Sequence, residues 1–126
     1  MKVMVVDDEM DVQILFQQKF RKEIKSGQIK FHFAFSGGEG LEYFKENDLS
    51  ELVLILSDIN MPGMNGLELL KKVKELDPGI PVYMITAYAD ENNYRQAKEY
   101  GCDDYFTKPL NFDTLKKKIF DPDVIN

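Results

Sequence analysis

The residues of this chain that could do chemistry stand at the ends of short candidate strands. Asp7 and Asp8 follow Val3–Val6, Asp58 follows Leu52–Leu56 and Ser57, Thr86 closes a run that begins at Pro81, and Lys108 follows 104–107. Burying an unpaired carboxylate costs several kcal/mol, so Asp58 at the end of a core strand needs a cation, a reaction or water. Three carboxylates brought together repel, and at neutral pH they need a proton or a metal ion between them. Carboxylate and carbonyl oxygens are hard ligands that suit Mg²⁺, an ion that keeps several waters and often bridges to phosphate. With such an ion bound, a carboxylate can act as a nucleophile on phosphorus and become an aspartyl phosphate. The charge that develops on the phosphoryl oxygens then calls for a cation and a hydroxyl, and Lys108 and Thr86 are those groups.

These residues need elements to bring them together. Leu52–Leu56 is uncharged and partly β-branched, which suits a strand buried on both faces. Pro62, Gly63, Asn65 and Gly66 then make a loop. Val3–Val6 reads as a first buried strand, and Val12, Leu15, Phe16, Phe20 and Ile24 recur at the spacing of one amphipathic helix, stopped by Ser26-Gly27. Alternation over Ile29–Phe35 predicts a second strand with one wetter face, at a sheet edge, and Ser36-Gly37-Gly38 a turn. Leu41 and Phe44 mark a second helix that Gly40 predicts to be short or frayed. Leu67, Leu70, Val73 and Leu76 mark a third, stopped at Asp77-Pro78-Gly79. A strand over Pro81–Ala87 precedes a fourth helix over Glu91–Tyr100, with Tyr94, Ala97 and Tyr100 inward and Gly101 as its cap. Asp104–Thr107 is a fifth strand, and Phe112, Leu115 and Ile119 mark a last helix with Pro122 beyond its end.

Strictly alternating strands and helices predict an α/β fold, a parallel sheet with right-handed crossovers and helices on both faces. In such sheets sites form at the carboxyl ends of the strands, where all the groups above fall. The 126 residues fit a single domain over 1–126 with a core that needs no disulfide or structural metal. A net charge of −6 argues against a nucleic-acid surface. The single cysteine, Cys102, excludes an internal disulfide and fits a reducing compartment. Asp7-Asp8-Glu9 interrupts the first apolar run too early for a signal peptide, and no run approaches a membrane span. A soluble, cytoplasmic protein without membrane contact is expected.

Taken singly, each candidate has a plain structural role. Asp7-Asp8 could cap the helix that follows, Thr86 could be an ordinary β-branched strand residue, Lys108 a solvated lysine, and Tyr88 and Tyr105 packing aromatics. Lys116-Lys117-Lys118 reads as a solvated face near a helix C-terminus. Their joint placement at one sheet edge is what favours a site.

The motifs VVDDE at 5–9, SDINMPGMNG at 57–66, ITA at 85–87 and YFTKP at 105–109 resemble, in order and spacing, the signature regions of CheY-like receiver domains of two-component response regulators. The resemblance covers nearly the whole chain. It implies a flavodoxin-like (βα)5 three-layer sandwich with strand order 2-1-3-4-5. It implies Asp58 as phosphoacceptor, with Asp8, Asp58 and the Asn60 main-chain carbonyl as ligands of Mg²⁺ or Mn²⁺ and Asp7 acting through a metal-bound water. Thr86 would close on the phosphoryl group, Lys108 would pair with it, Tyr105 would be the aromatic switch, and the Lys108-Pro109 bond would be cis. Asn60 and Tyr88 would flank the path of a hydrolytic water. The implied partners are a histidine kinase or phosphotransfer protein, and a downstream protein, output domain or second copy met by the surface of the fourth helix, fifth strand and fifth helix. The sequence fits both a free-standing regulator and a receiver segment of a longer protein.

Two other classes share part of this chemistry. A phosphatase of the haloacid-dehalogenase type also combines an Asp nucleophile, Mg²⁺, Thr and Lys, but places its nucleophile after the first strand in an Asp-x-Asp pattern, where Glu9 stands here. A flavodoxin carries a Ser-, Thr- and Gly-rich phosphate loop after that strand, whereas this loop is acidic and would repel a flavin phosphate.

Overall fold

The computed structural model describes residues 1–88 and 90–120. Five strands, β1 (Lys2–Val6), β2 (Lys30–Ala34), β3 (Leu52–Asp58), β4 (Val82–Thr86) and β5 (Asp104–Thr107), form one parallel sheet in the order β2-β1-β3-β4-β5. The helices are α1 (Met10–Lys19), α2 (Arg21–Lys25), α3 (Gly37–Glu46), α4 (Gly66–Leu76), α5 (Glu91–Glu99) and α6 (Phe112–Phe120). This is the flavodoxin-like three-layer arrangement expected. Among the described residues no helix is long and apolar enough to cross a membrane. The expected stop at Pro122 lies outside the described residues.

Strand alternation divides the core in two. Met4, Val6, Ile55 and Met84 face one side and pack with Leu41, Phe44, Leu69, Leu70, Val73 and Ala97 of α3, α4 and α5. Val3, Val5, Leu54, Leu56, Tyr83 and Ile85 face the other, against Phe16, Phe20, Phe112, Leu115 and Ile119. Central strands buried on both faces are why β1, β3 and β4 read as unbroken apolar runs.

The structure departs from the sequence reading in five places. The single first helix is divided at Phe20, which leaves helical geometry at φ −104°, ψ 20°. Phe20 stacks on Phe16 at 5.8 Å and meets the edge of Phe31 at 5.0 Å, so aromatic packing holds the division. Leu15 and Ile24, expected inward, are exposed. The second strand is at the edge as expected, but its faces are mixed: Ala34 is buried while Phe31 and Phe33 are half-buried. Ser36-Gly37-Gly38 is not a free turn. Ser36 caps α3, its Oγ accepting the Glu39 N–H at 3.0 Å, and the helix starts at Gly37. Nor is α3 frayed: a Cβ on Gly40 would lie 3.1 Å from Val6 Cγ2 and 3.5 Å from Leu69 Cδ2, so the glycine lets α3 settle on the sheet. On α5 only Ala97 is buried; Tyr94 is exposed.

The loop after β3 is fixed at both ends. Asn65 and Glu68 form a capping box that starts α4, and the Gly66 N–H donates to the Ile59 carbonyl at 2.9 Å. A Cβ on Gly66 would collide with the main-chain carbonyl of Asp58. Gly66→Ala is therefore expected to cost about 3 kcal/mol, as overpacking against backbone does. Urea unfolding measures it, and a loss below about 1 kcal/mol, within the scatter of ordinary surface changes, would contradict the close approach.

Candidate phosphoryl-transfer site

Strand register brings the candidate groups together. Val6 pairs with Ser57, so Asp7 is level with Asp58 on adjacent strands. Asp58 pairs with Ile85, and Thr86 with Thr107, which places Thr86 one step and Lys108 two steps further along the same edge. Asp7 and Asp58 are buried at 6% and 5% exposure, Thr86 is fully buried, and Asp8 is exposed. Carboxylate oxygens of Asp7, Asp8 and Asp58 all lie within 4.8 Å of one another. Beside them a cleft of about 350 Å³ runs between α1 and the β5–α6 loop, walled by Val12, Leu15, Phe16 and Phe112.

Lys108 closes the site. Its Nζ donates to Asp7 Oδ2 at 3.0 Å and Asp58 Oδ2 at 3.4 Å. The Lys108-Pro109 peptide that carries it is cis. The other oxygen of Asp7 accepts the Glu9 N–H at 2.9 Å, so Asp7 supports the start of α1 as well as the acidic cluster. This bond reaches the N–H of the residue before α1, so Asp7 does not cap the helix itself. Glu9 occupies the cap position and makes no side-chain cap bond itself.

Thr86 and Tyr105 are engaged with other partners. Thr86 Oγ1 accepts from the Tyr88 N–H at 3.1 Å and from Asn60 Nδ2 at 3.2 Å, and donates to the Tyr88 carbonyl at 3.3 Å. The Tyr105 ring stands edge-on to Tyr94 at 5.1 Å and packs against the α3–α4–α5 core. Its hydroxyl is buried without a hydrogen-bond partner among the described residues. The resting pairing of Lys108 with Asp7, the close approach of Gly66 and the Asn60–Thr86 bond carry no signature in composition or periodicity. Only the register and loop geometry show them.

Electrostatics at the acidic cluster are unbalanced. Burial first, then the charge of Asp7, push the Asp58 carboxyl above the ordinary carboxylate value; Lys108 and a main-chain hydrogen bond from Asn60 oppose them. Burial alone would lower the Lys108 ammonium, but Asp7 and Asp58 outweigh it and raise it above its ordinary value.

A family model described as the response regulator receiver domain matches residues 3–120. The chain belongs to that family: it is a receiver domain of two-component signalling. It is 30% identical over 118 residues to sporulation initiation phosphotransferase F of Bacillus subtilis (strain 168), covering 94% of this chain and 90% of that protein. It is 34% identical over 114 residues to the transcriptional regulatory protein ZraR of Escherichia coli (strain K12), covering 90% of this chain but 24% of that protein. Among solved structures it superposes on a CheY-like receiver domain protein from Methanospirillum hungatei JF-1 with a TM-score of 0.83 at 32% identity, over 94% of this chain and 89% of that one. It also superposes on the response regulator TrrA from Thermotoga maritima in complex with Mg(2+)-BeF, with a TM-score of 0.77 at 28% identity, over 94% and 95% of the two chains. The haloacid-dehalogenase reading is not favoured by these likenesses.

The raised Asp58 value has a consequence for stability. The folded protein holds this proton more tightly than the unfolded chain, so stability falls as pH rises from 3.8, the ordinary value, through the folded value. Above that value the ionised, crowded carboxylate is a standing cost in the metal-free protein. Asp58→Asn is expected to raise Tm at pH 7 by about 4 °C, about 1 kcal/mol for a domain of this size, with the gain vanishing below the ordinary carboxylate range. Calorimetry of the metal-free protein across pH checks this. A lower Tm for the variant at pH 7 would mean that pairing with Lys108 outweighs burial and repulsion.

Proposed function

We propose that this receiver domain is a phosphorylation-controlled switch in which Asp58 takes a phosphoryl group from a phosphohistidine of a histidine kinase or phosphotransfer protein. The observation that carries the reading is the convergence of Asp7, Asp8 and Asp58 within 4.8 Å beside Lys108, at one edge of the sheet. In the transfer an Asp58 carboxylate oxygen forms a P–O bond as the P–N bond to the imidazole breaks, and the imidazole regains a proton from solvent. Hydrolysis of the acyl phosphate returns the carboxylate and releases inorganic phosphate.

The donor set fits a hard cation. Three carboxylates, with the Asn60 main-chain carbonyl beside them in sequence, are the ligand chemistry of Mg²⁺ or Mn²⁺. Asp8, Asp58 and the Asn60 carbonyl would hold the ion, with Asp7 acting through a water; Asp7 is already engaged by Lys108 and the Glu9 N–H, which suits an outer role. When bound, the ion supplies positive charge to the phosphoryl oxygens. The Mg(2+)-BeF complex of the Thermotoga relative supports this choice.

The chain's own groups do the rest. Lys108 exchanges carboxylate oxygens for a phosphoryl oxygen, and Thr86 turns its hydroxyl toward Asp58. That movement opens space beside β4 in which the Tyr105 ring repacks, and a ligand shifts such an equilibrium only by its differential affinity for the two states. The altered face of α5, β5 and α6 then meets a downstream protein, an output domain or a second copy of the chain. The relative named as a transcriptional regulator, of which this chain matches 24%, supports an output carried outside the receiver. A cytoplasmic, non-enzymatic signalling role, apart from the domain's own phosphorylation and dephosphorylation, is the reading that fits. One domain over 1–126 is proposed for the whole sequence given.

Incubation with Mg²⁺ and a small acyl phosphate is expected to add one hydroxylamine-labile phosphoryl group by intact mass, and Asp58→Asn to abolish it. An adduct retained in Asp58→Asn would remove Asp58 from the role. Asp8→Ala, which removes a direct ligand, is expected to weaken Mg²⁺ binding by more than the roughly tenfold that loss of an outer partner costs, and so more than Asp7→Ala. Equal, unperturbed affinities by titration would sink the ligand assignment.

A further inference from the structure

We infer that the Asn60 side chain is a latch on Thr86: its amide N–H holds the Thr86 hydroxyl in the resting position and so sets how readily the domain switches. The inference rests on the reading of Asp58 as phosphoacceptor and Thr86 as the residue that closes on the phosphoryl group.

Thr86 is fully buried, and its hydroxyl has no hydrogen-bonding capacity left. A hydroxyl has one proton and two lone pairs. The proton goes to the Tyr88 carbonyl, and the lone pairs take the Tyr88 N–H and Asn60 Nδ2. To donate to a phosphoryl oxygen, Thr86 must give up all three bonds and move. The two Tyr88 bonds are local, made two residues along the same chain. The Asn60 bond is different, because it crosses from β4 to the loop after β3 and ties Thr86 to the segment that carries Asp58. Asn60 is itself exposed, so on release its amide finds water. Breaking the latch therefore leaves no orphaned donor, and its strength is that of one net hydrogen bond. Asn60 is a positioning residue here: its effect on the phosphorylated state runs through Thr86.

The test compares parent, Asn60→Ala, Thr86→Ala and the double variant at saturating Mg²⁺, with beryllofluoride as the phosphoryl mimic and tyrosine fluorescence or NMR as the readout. Asn60→Ala is expected to bind beryllofluoride about fivefold more tightly than parent, the ratio that one net hydrogen bond gives. In the Thr86→Ala background the same substitution is expected to change nothing, because there is no hydroxyl to hold. Amide exchange adds a readout that general loosening would not reproduce: in Asn60→Ala the Tyr88 N–H exchanges faster while the Leu70 N–H in α4 does not. Asn60→Leu, which also lacks the donor, should act in the same direction. Weaker or unchanged beryllofluoride binding in Asn60→Ala, or an effect of equal size in the Thr86→Ala background, overturns the latch. A parent protein that fails to bind beryllofluoride overturns the phosphoryl reading itself, and the latch with it.

Discussion

Two carboxylates, Asp7 and Asp58, are buried side by side at the ends of adjacent parallel strands, and one ammonium, Lys108, bridges them at 3.0 and 3.4 Å. In a medium that screens charge poorly, this triad cannot be neutral about its surroundings. Two negative charges against one positive leave a deficit of the kind a divalent cation would satisfy, and Asp8 at the rim offers a further carboxylate oxygen. The upward push on the Asp58 carboxyl expresses the same imbalance. The rest of the site is arranged around keeping these charges close without letting the fold relax them apart.

The sheet supplies that rigidity. Asp7 and Asp58 are tied by the β1–β3 ladder, and β1 and β3 are buried on both faces by two separate apolar clusters. Sliding either strand would move its apolar side chains to the wrong layer. Repulsion between the carboxylates is thus opposed by the core itself rather than by local contacts alone. The loop after β3 adds a second restraint, since Gly66 packs directly on the Asp58 main chain and α4 begins there with a capping box.

The other half of the site is held by different forces. Thr86 sits on β4, which is buried throughout, and Tyr105 on the edge strand β5, which is half-buried up to an exposed Thr107. Thr86 is held by hydrogen bonds, which can be exchanged one for another, rather than by interlocking apolar side chains. Tyr105 lies between the apolar layer of α3, α4 and α5 and an exposed Tyr94. The two sides of the site thus differ in what holds them: interlocked apolar layers on one, hydrogen bonds on the other.

Much of this was legible in the amino-acid sequence. Unbroken apolar runs leading into Asp7-Asp8, Asp58 and Thr86 dictated strands buried on both faces, and strict alternation with helices dictated a parallel sheet, because period and burial are local properties of composition. From there the clustering of Asp7, Asp58, Thr86 and Lys108 at one edge follows. What sequence alone could not decide depends on pairs of residues distant in the chain. The division of the first helix at Phe20 is set by aromatic contacts with Phe31 and Phe112. Gly40 looked like a weak helix position, yet it is where α3 meets Val6. Tyr94 shares its helix's periodicity but not its burial, because α5 settles on the sheet through Ala97 alone. The resting partners of Lys108 and Thr86 follow the same logic. A side chain's type sets what it can bond, but which donor and acceptor come within 3 Å is fixed only when register and loops bring separate strands together.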